Sequence, residues 1–168
     1  MKDKIKSIGI FAIINIIAIA LDRYTKLLAE SYLKENAPFV IIDKVLELLY
    51  TENRGAAFGI MQEKQMFFFI ITVAVMLAIL YIILKLPTDK KYKPLLIALS
   101  FVFAGAVGNL IDRITNSYVI DFIYFMPINF PVFNVADIYV TLSAISLIIL
   151  FFFVYKEEDL GFLSPKKN

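Results

Sequence analysis

Four long apolar runs, Ser7–Leu21, Met66–Leu84, Leu95–Ile111 and Ile138–Tyr155, alternate with segments that carry charge or proline, and this pattern leaves few folds open. A helix that crosses a bilayer needs about 20 mostly apolar residues. The first run is short, but Lys4 and Lys6 can snorkel at one end and its helical pattern continues past Asp22 to about Leu28. Composition agrees: 60% of the 168 residues are hydrophobic and mean hydropathy is +0.77, against roughly 45–50% apolar usage in soluble domains. The chain reads as a mainly α membrane protein, a single integral-membrane domain with spans over about 5–28, 66–84, 95–112 and 135–155. The opening MKDKIK, its apolar run and Ala18-Ile19-Ala20 imitate a cleavable leader. Three further spans would anchor the product anyway, so the run is read as the first span.

Lysines set the expected orientation. Lys2, Lys4 and Lys6 precede the first span, Lys85, Lys90, Lys91 and Lys93 fill the second connection, and Lys156, Lys166 and Lys167 follow the last span. Positive residues flanking spans stay in the cytoplasm, so both termini are placed inside. The segments over about 30–65 and 112–135 then lie outside. Within the first of these, FVII (Phe39–Ile42) and VLELLY (Val45–Tyr50) have strand lengths and suit a small extracytoplasmic β-sheet, with helix left open for the second. The stretch IDRITNSYVIDFIYF, Ile111–Phe125, is read as a short interfacial helix. Pro127 and Pro131 break the connection after it.

The chain has no Cys and no His. That removes disulfides, Ser-His-Asp and Cys-His triads and histidine-ligated zinc proteases, so acid–base chemistry falls to Asp, Glu, Lys, Tyr or water. No basic stripe with exposed aromatics suggests nucleic acid. Four acids, Asp22, Asp112, Asp121 and Asp137, sit at the expected outer ends of apolar segments, where ionisable groups are costly and mark functional sites by default. Each can instead simply end a span in water. Asn134 and Asp137 also fit the N-cap and N3 positions of the last helix. Asp112 has Arg113 beside it, and Asp22 has Lys26 at helical spacing. Asp121 lacks a matched cation within four residues. By elimination, Asp121 and Asp137 are the pair most free to change protonation. Two such groups brought together share one proton, which suits activation of water against a peptide bond without metal or cofactor. GAAFG (Gly55–Gly59) and AGAVG (Ala104–Gly108) have the small-residue spacing of close helix contacts; backbone donors beside a substrate are the alternative for the first. Asn109, within an apolar run, needs a polar partner.

LDRYTK (Leu21–Lys26), NRGAAFG (Asn53–Gly59), AGAVGNLIDR (Ala104–Arg113), VIDF (Val119–Phe122) and FNVAD (Phe133–Asp137) together resemble lipoprotein signal peptidase, also called signal peptidase II. The resemblance implies a four-helix membrane aspartyl protease with a small β cradle. It implies cleavage of prolipoproteins before a diacylglyceryl-modified Cys, membrane lipids as neighbours, inhibition by globomycin-type peptides, and a monomer in the bacterial cytoplasmic membrane with its site on the outer face. By the same resemblance Asp121 and Asp137 form the catalytic dyad. Asn53, Gly55, Gly105, Asn109, Arg113 and Asn134 bind substrate or position the dyad, and Asp22, Lys26 and Asp112 are structural or orienting. Two departures stand out: Arg23 where the family usually has Gln, and Ile138–Val140 without the small polar residue often found there. The rival reading is a small proton-coupled transporter, against which the chain lacks duplicated halves and any acid in the middle of a span.

Overall fold

A computed structural model describes residues 1–55 and 65–163. It contains four long helices, α1 (Lys2–Leu33), α2 (Gln65–Lys85), α3 (Lys93–Asn116) and α4 (Val135–Ile149), and three strands, β1 (Phe39–Ile42), β2 (Leu46–Asn53) and β3 (Val119–Phe125). The segment Lys2–Leu33, the segment Lys90–Asn116 and the α4 segment Val135–Val154 are long and apolar enough to cross a membrane, and Phe69–Lys85 is a shorter apolar helix.

α1 buries one stripe, Phe11, Asn15, Ala18, Asp22, Lys26 and Ala29, whose spacing of three and four residues keeps one helix face inward. Its other faces leave Ile13, Ile16, Ile17, Leu21 and Leu27 exposed, a surface that is costly in water and suits the apolar interior of a bilayer. α3 is the central helix and packs against the other three. Pro94 occupies its first turn, where a missing N–H costs nothing. At the other end Ser117, with φ 66°, donates its N–H to the Arg113 carbonyl at 3.1 Å and stops the helix.

That stop separates the helix from the residues after it. The stretch Ile111–Phe125 is not one interfacial helix: α3 runs on to Asn116, and Val119–Phe125 is strand β3. Val, Ile, Phe and Tyr favour a pleated, half-buried surface, and β3 finds one by pairing antiparallel with β2, from Leu46↔Phe125 to Asn53↔Val119. A single 3₁₀ turn, Met126–Ile128, is the short helical element that follows. β2 pairs with β1 on its other edge, so the second outer run is strand, not helix. All four β1 residues are exposed.

Two apolar clusters hold the ends of the bundle. One gathers Ile79, Ile83, Leu95, Leu96, Leu99 and Tyr155, far from the sheet. Nearby, Lys4 Nζ donates to the carbonyls of Ile83 and Leu86 at 2.8 Å, supplying partners for the end of α2. The other cluster, Ala29, Ile120 and Phe122, ties α1 to the sheet.

Candidate active site

Asp121 reaches the site from β3, opposite Thr51 of β2, and Asp137 from the first turn of α4. Their junction is Asn134. Its side-chain oxygen accepts the Asp137 N–H at 3.0 Å, while its own N–H donates to Asp137 Oδ2 at 3.1 Å. This reciprocal capping box satisfies two otherwise orphaned donors and fixes the carboxylate. The Asn134 side-chain Nδ2 then lies 2.6 Å from Asp121 Oδ1, with Asn109 Oδ1 at 3.1 Å and the Ile120 carbonyl at 3.3 Å. One residue thus touches both acids.

The remaining carboxylate oxygens are also occupied. Asn53 Nδ2 donates to Asp121 Oδ2 at 2.8 Å, and the Gly55 N–H orients Asn53 by donating to its Oδ1 at 3.0 Å. Asn109 Nδ2 donates to Asp137 Oδ1 at 2.9 Å. Burial pushes the Asp121 carboxyl up to about 7, and the neighbouring Asp137 adds to the rise; hydrogen bonds from Asn53 and Asn134 and the charge of Lys26 only partly oppose it.

Both acids line a cavity of 440 Å³, together with Asn53, Gly55, Asn109 and Arg113. Its other walls are apolar, supplied by the 130–133 segment and by α4 residues such as Ile138 and Leu142. The cavity thus presents two carboxylates at one end of an otherwise greasy trough. Phe130 and Leu142 are themselves exposed, so apolar side chains flank its opening.

Behind the cavity lies a fully buried charge cluster. Lys26 Nζ contacts Asp22 Oδ2 at 2.9 Å, Asp112 Oδ2 at 2.8 Å and Asn109 Oδ1 at 2.8 Å, which uses all three of its donors. Asp22 Oδ1 accepts the Ala136 N–H in the first turn of α4 at 3.0 Å. Asp112 Oδ2 accepts the Ile120 N–H, next to Asp121, at 3.3 Å. The cluster therefore grips both elements that carry the two acids.

Asp112 forms ion pairs with Lys26 and Arg23, and the charge of the adjacent Arg113 also acts on it. Successive helix residues point about 100° apart, so Arg113 turns to the cavity while Asp112 faces α1. Gly105 and Asn134 do not line the cavity. A Cβ on Gly105 would sit 2.7 Å from the Ala136 carbonyl oxygen, and one on Gly108 would sit 2.4 Å from Asp22 Oδ2. These glycines let α3 approach α4 and α1, in keeping with the packing reading of AGAVG. Of the GAAFG stretch only Gly55 falls within the described residues. Sequence reasoning missed the apolar walls at 130–133. A signal was present in Pro127 and Pro131, which force the chain back so that Phe133 bridges Ile123.

A family profile described as signal peptidase (SPase) II matches residues 14–153. A lipoprotein signal peptidase from Clostridium tetani is 45% identical over 150 residues, covering 87% of this chain and 92% of its own. One from Streptococcus pyogenes serotype M5 is 40% identical over 154 residues, covering 90% and 97%. A bacterial membrane enzyme solved by the in meso method at 1.9 Å resolution superposes with a TM-score of 0.77 at 35% identity, covering 88% of this chain and 96% of that one.

Proposed function

This chain belongs to the signal peptidase II family of membrane proteases, and on that premise we propose that it cleaves prolipoproteins before their lipid-modified Cys with Asp121 and Asp137 as an aspartyl dyad. The observation that carries the reading is Asn134, whose side chain holds Asp121 and whose backbone N–H holds Asp137 at one cavity. Asp137, held by two N–H donors, takes a proton from water as the oxygen attacks the scissile carbonyl. Asp121, the member raised to about 7, gives its proton to the carbonyl oxygen. The resulting diol collapses, the C–N bond breaks, Asp137 passes its proton to the leaving amine, and a diol proton returns to Asp121. Asn53 and Asn134 orient the acid, Asn109 orients the base, and Arg113 meets the substrate backbone. The apolar trough receives the acyl chains and signal peptide from the bilayer.

Purified protein with a diacylglyceryl-modified preprolipoprotein tests this. The expected result is a shortened product, with kcat/KM falling about tenfold per unit once pH rises beyond about 7, as Asp121 loses its proton. A rate still climbing at pH 9 would take the acid role from Asp121.

We place the sheet and dyad at the outer face and both termini in the cytoplasm, because Lys2, Lys4 and Lys6 before the first span, Lys85, Lys90, Lys91 and Lys93 between the second and third, and Lys156 after the last flank the span ends away from the acids. A topology reporter fused within residues 85–93 is expected to read cytoplasmic. An external signal there inverts the arrangement.

A further inference from the structure

Arg23 does not line the cavity, yet its guanidinium pairs with Asp112 Oδ1, one partner about a quarter exposed and the other fully buried. With it, the cluster behind the cavity holds two carboxylates, Asp22 and Asp112, and two cations, Lys26 and Arg23. Without it, Asp112 Oδ1 would lose that donor, while the Lys26 ammonium already serves both acids and Asn109. A buried carboxylate oxygen left without a donor is relieved by taking up a proton or admitting water. Either change weakens Asp112 as an acceptor, and the group that depends on it is the Ile120 N–H, directly ahead of Asp121.

We propose that Arg23 is a positioning residue for catalysis: by donating to Asp112 it fixes the Ile120 amide and thereby the direction in which Asp121 enters the cavity. This rests on the dyad reading given above. The coupling runs through few atoms. Asp112 Oδ1 takes Arg23, and Asp112 Oδ2 takes both Lys26 and Ile120. Asp121 is the next residue, aimed between Asn53 of β2 and Asn134 ahead of α4. Strand β3 pairs with β2 here beyond an irregularity between Leu48 and Thr51, so the ladder is interrupted beside Asp121 and the Asp112 contact ties down the segment that follows the helix.

The test uses Arg23→Met and Arg23→Lys in the full-length protein, with kcat and KM measured on lipid-modified preprolipoprotein. Amide hydrogen exchange is followed at Ile120. For Met, which has no donor, kcat is expected to fall about tenfold with KM within about twofold, a split that a loss of substrate contact does not give. Lys restores most of the rate. Ile120 exchange quickens while Leu46–Leu48, paired at the far end of the ladder, does not change. In an Asp112→Asn background, Arg23→Met adds nothing further. Parental kcat in the Met variant, a loss that adds fully to Asp112→Asn, or unchanged exchange at Ile120 each overturns the proposal. Uniformly faster exchange across the sheet with a lowered melting temperature also overturns it, because Arg23 would then support the fold alone. Exchange at Ile120 is read without catalysis. If Asp121→Asn retained activity, the dyad reading would fall while the link from Arg23 to Ile120 was still decided.

Discussion

Asp121→Asn and Asp137→Asn are each expected to lower prolipoprotein cleavage by about 10²- to 10⁴-fold, the scale of losing a positioned general acid or base, while the protein still melts cooperatively in detergent. The linkage sign explains why the first variant keeps its fold. The folded Asp121 carboxyl titrates at about 7, above its ordinary 3.8, so the folded state holds a proton that the unfolded chain releases. Stability from that proton is full below about pH 4 and is lost as pH rises through about 7. A neutral amide removes this penalty but leaves one of the two donors, Asn53 or Asn134, facing an NH2 group, so the two effects offset and Asp121→Asn is expected to melt close to the parent at pH 8. For Asp137→Asn the side-chain oxygen can still accept the Asn134 N–H, so the capping box loses about 1 kcal/mol at most. Cleavage assays beside thermal melts check both. Parental turnover in either variant rejects the dyad.

Lys26→Met is expected to give the largest loss of stability. The lysine is fully buried between Asp22 and Asp112, and removing one partner of a buried pair costs about 3–5 kcal/mol, because the remaining charge is left without compensation. For a chain of this size that corresponds to a fall of roughly 10 °C or more in melting temperature. Activity falls with it, since Asp22 and Asp112 hold the Ala136 and Ile120 amides. An unshifted melt would remove Lys26 from the architecture of the site.

How far the sequence reached depends on the range of each interaction. The apolar helices were legible because lipid demands a long uninterrupted signal. Asn134 and Asp137 were legible as a cap because three residues suffice to make one. The β1–β2 pair was legible from length and composition, but β3 was not. Its partner lies far away in sequence, and Ser117 carries no glycine to announce the left-handed stop. Arg113 is legible as a cation for Asp112 because it is the next residue. The ion-pair partners Arg23 and Lys26 come from another helix and are not. Arg23 stood out only as a departure from the family, and its place opposite Asp112 depends on how α1 packs against α3, which the small residues at 104–108 permit without specifying.

The length of α1 has a mechanical consequence. From Lys4 to Lys26 the helix rises about 33 Å, close to the roughly 30 Å hydrocarbon thickness of a bilayer, and Lys4 clamps α2 at one end while Lys26 underpins the two acids at the other. In the proposed orientation the protein carries its own gauge, a rigid post that sets the elevation of the cutting groups above the inner headgroups. A peptide whose greasy stem is several residues too short arrives with its cut point below that mark, whatever side chains flank it.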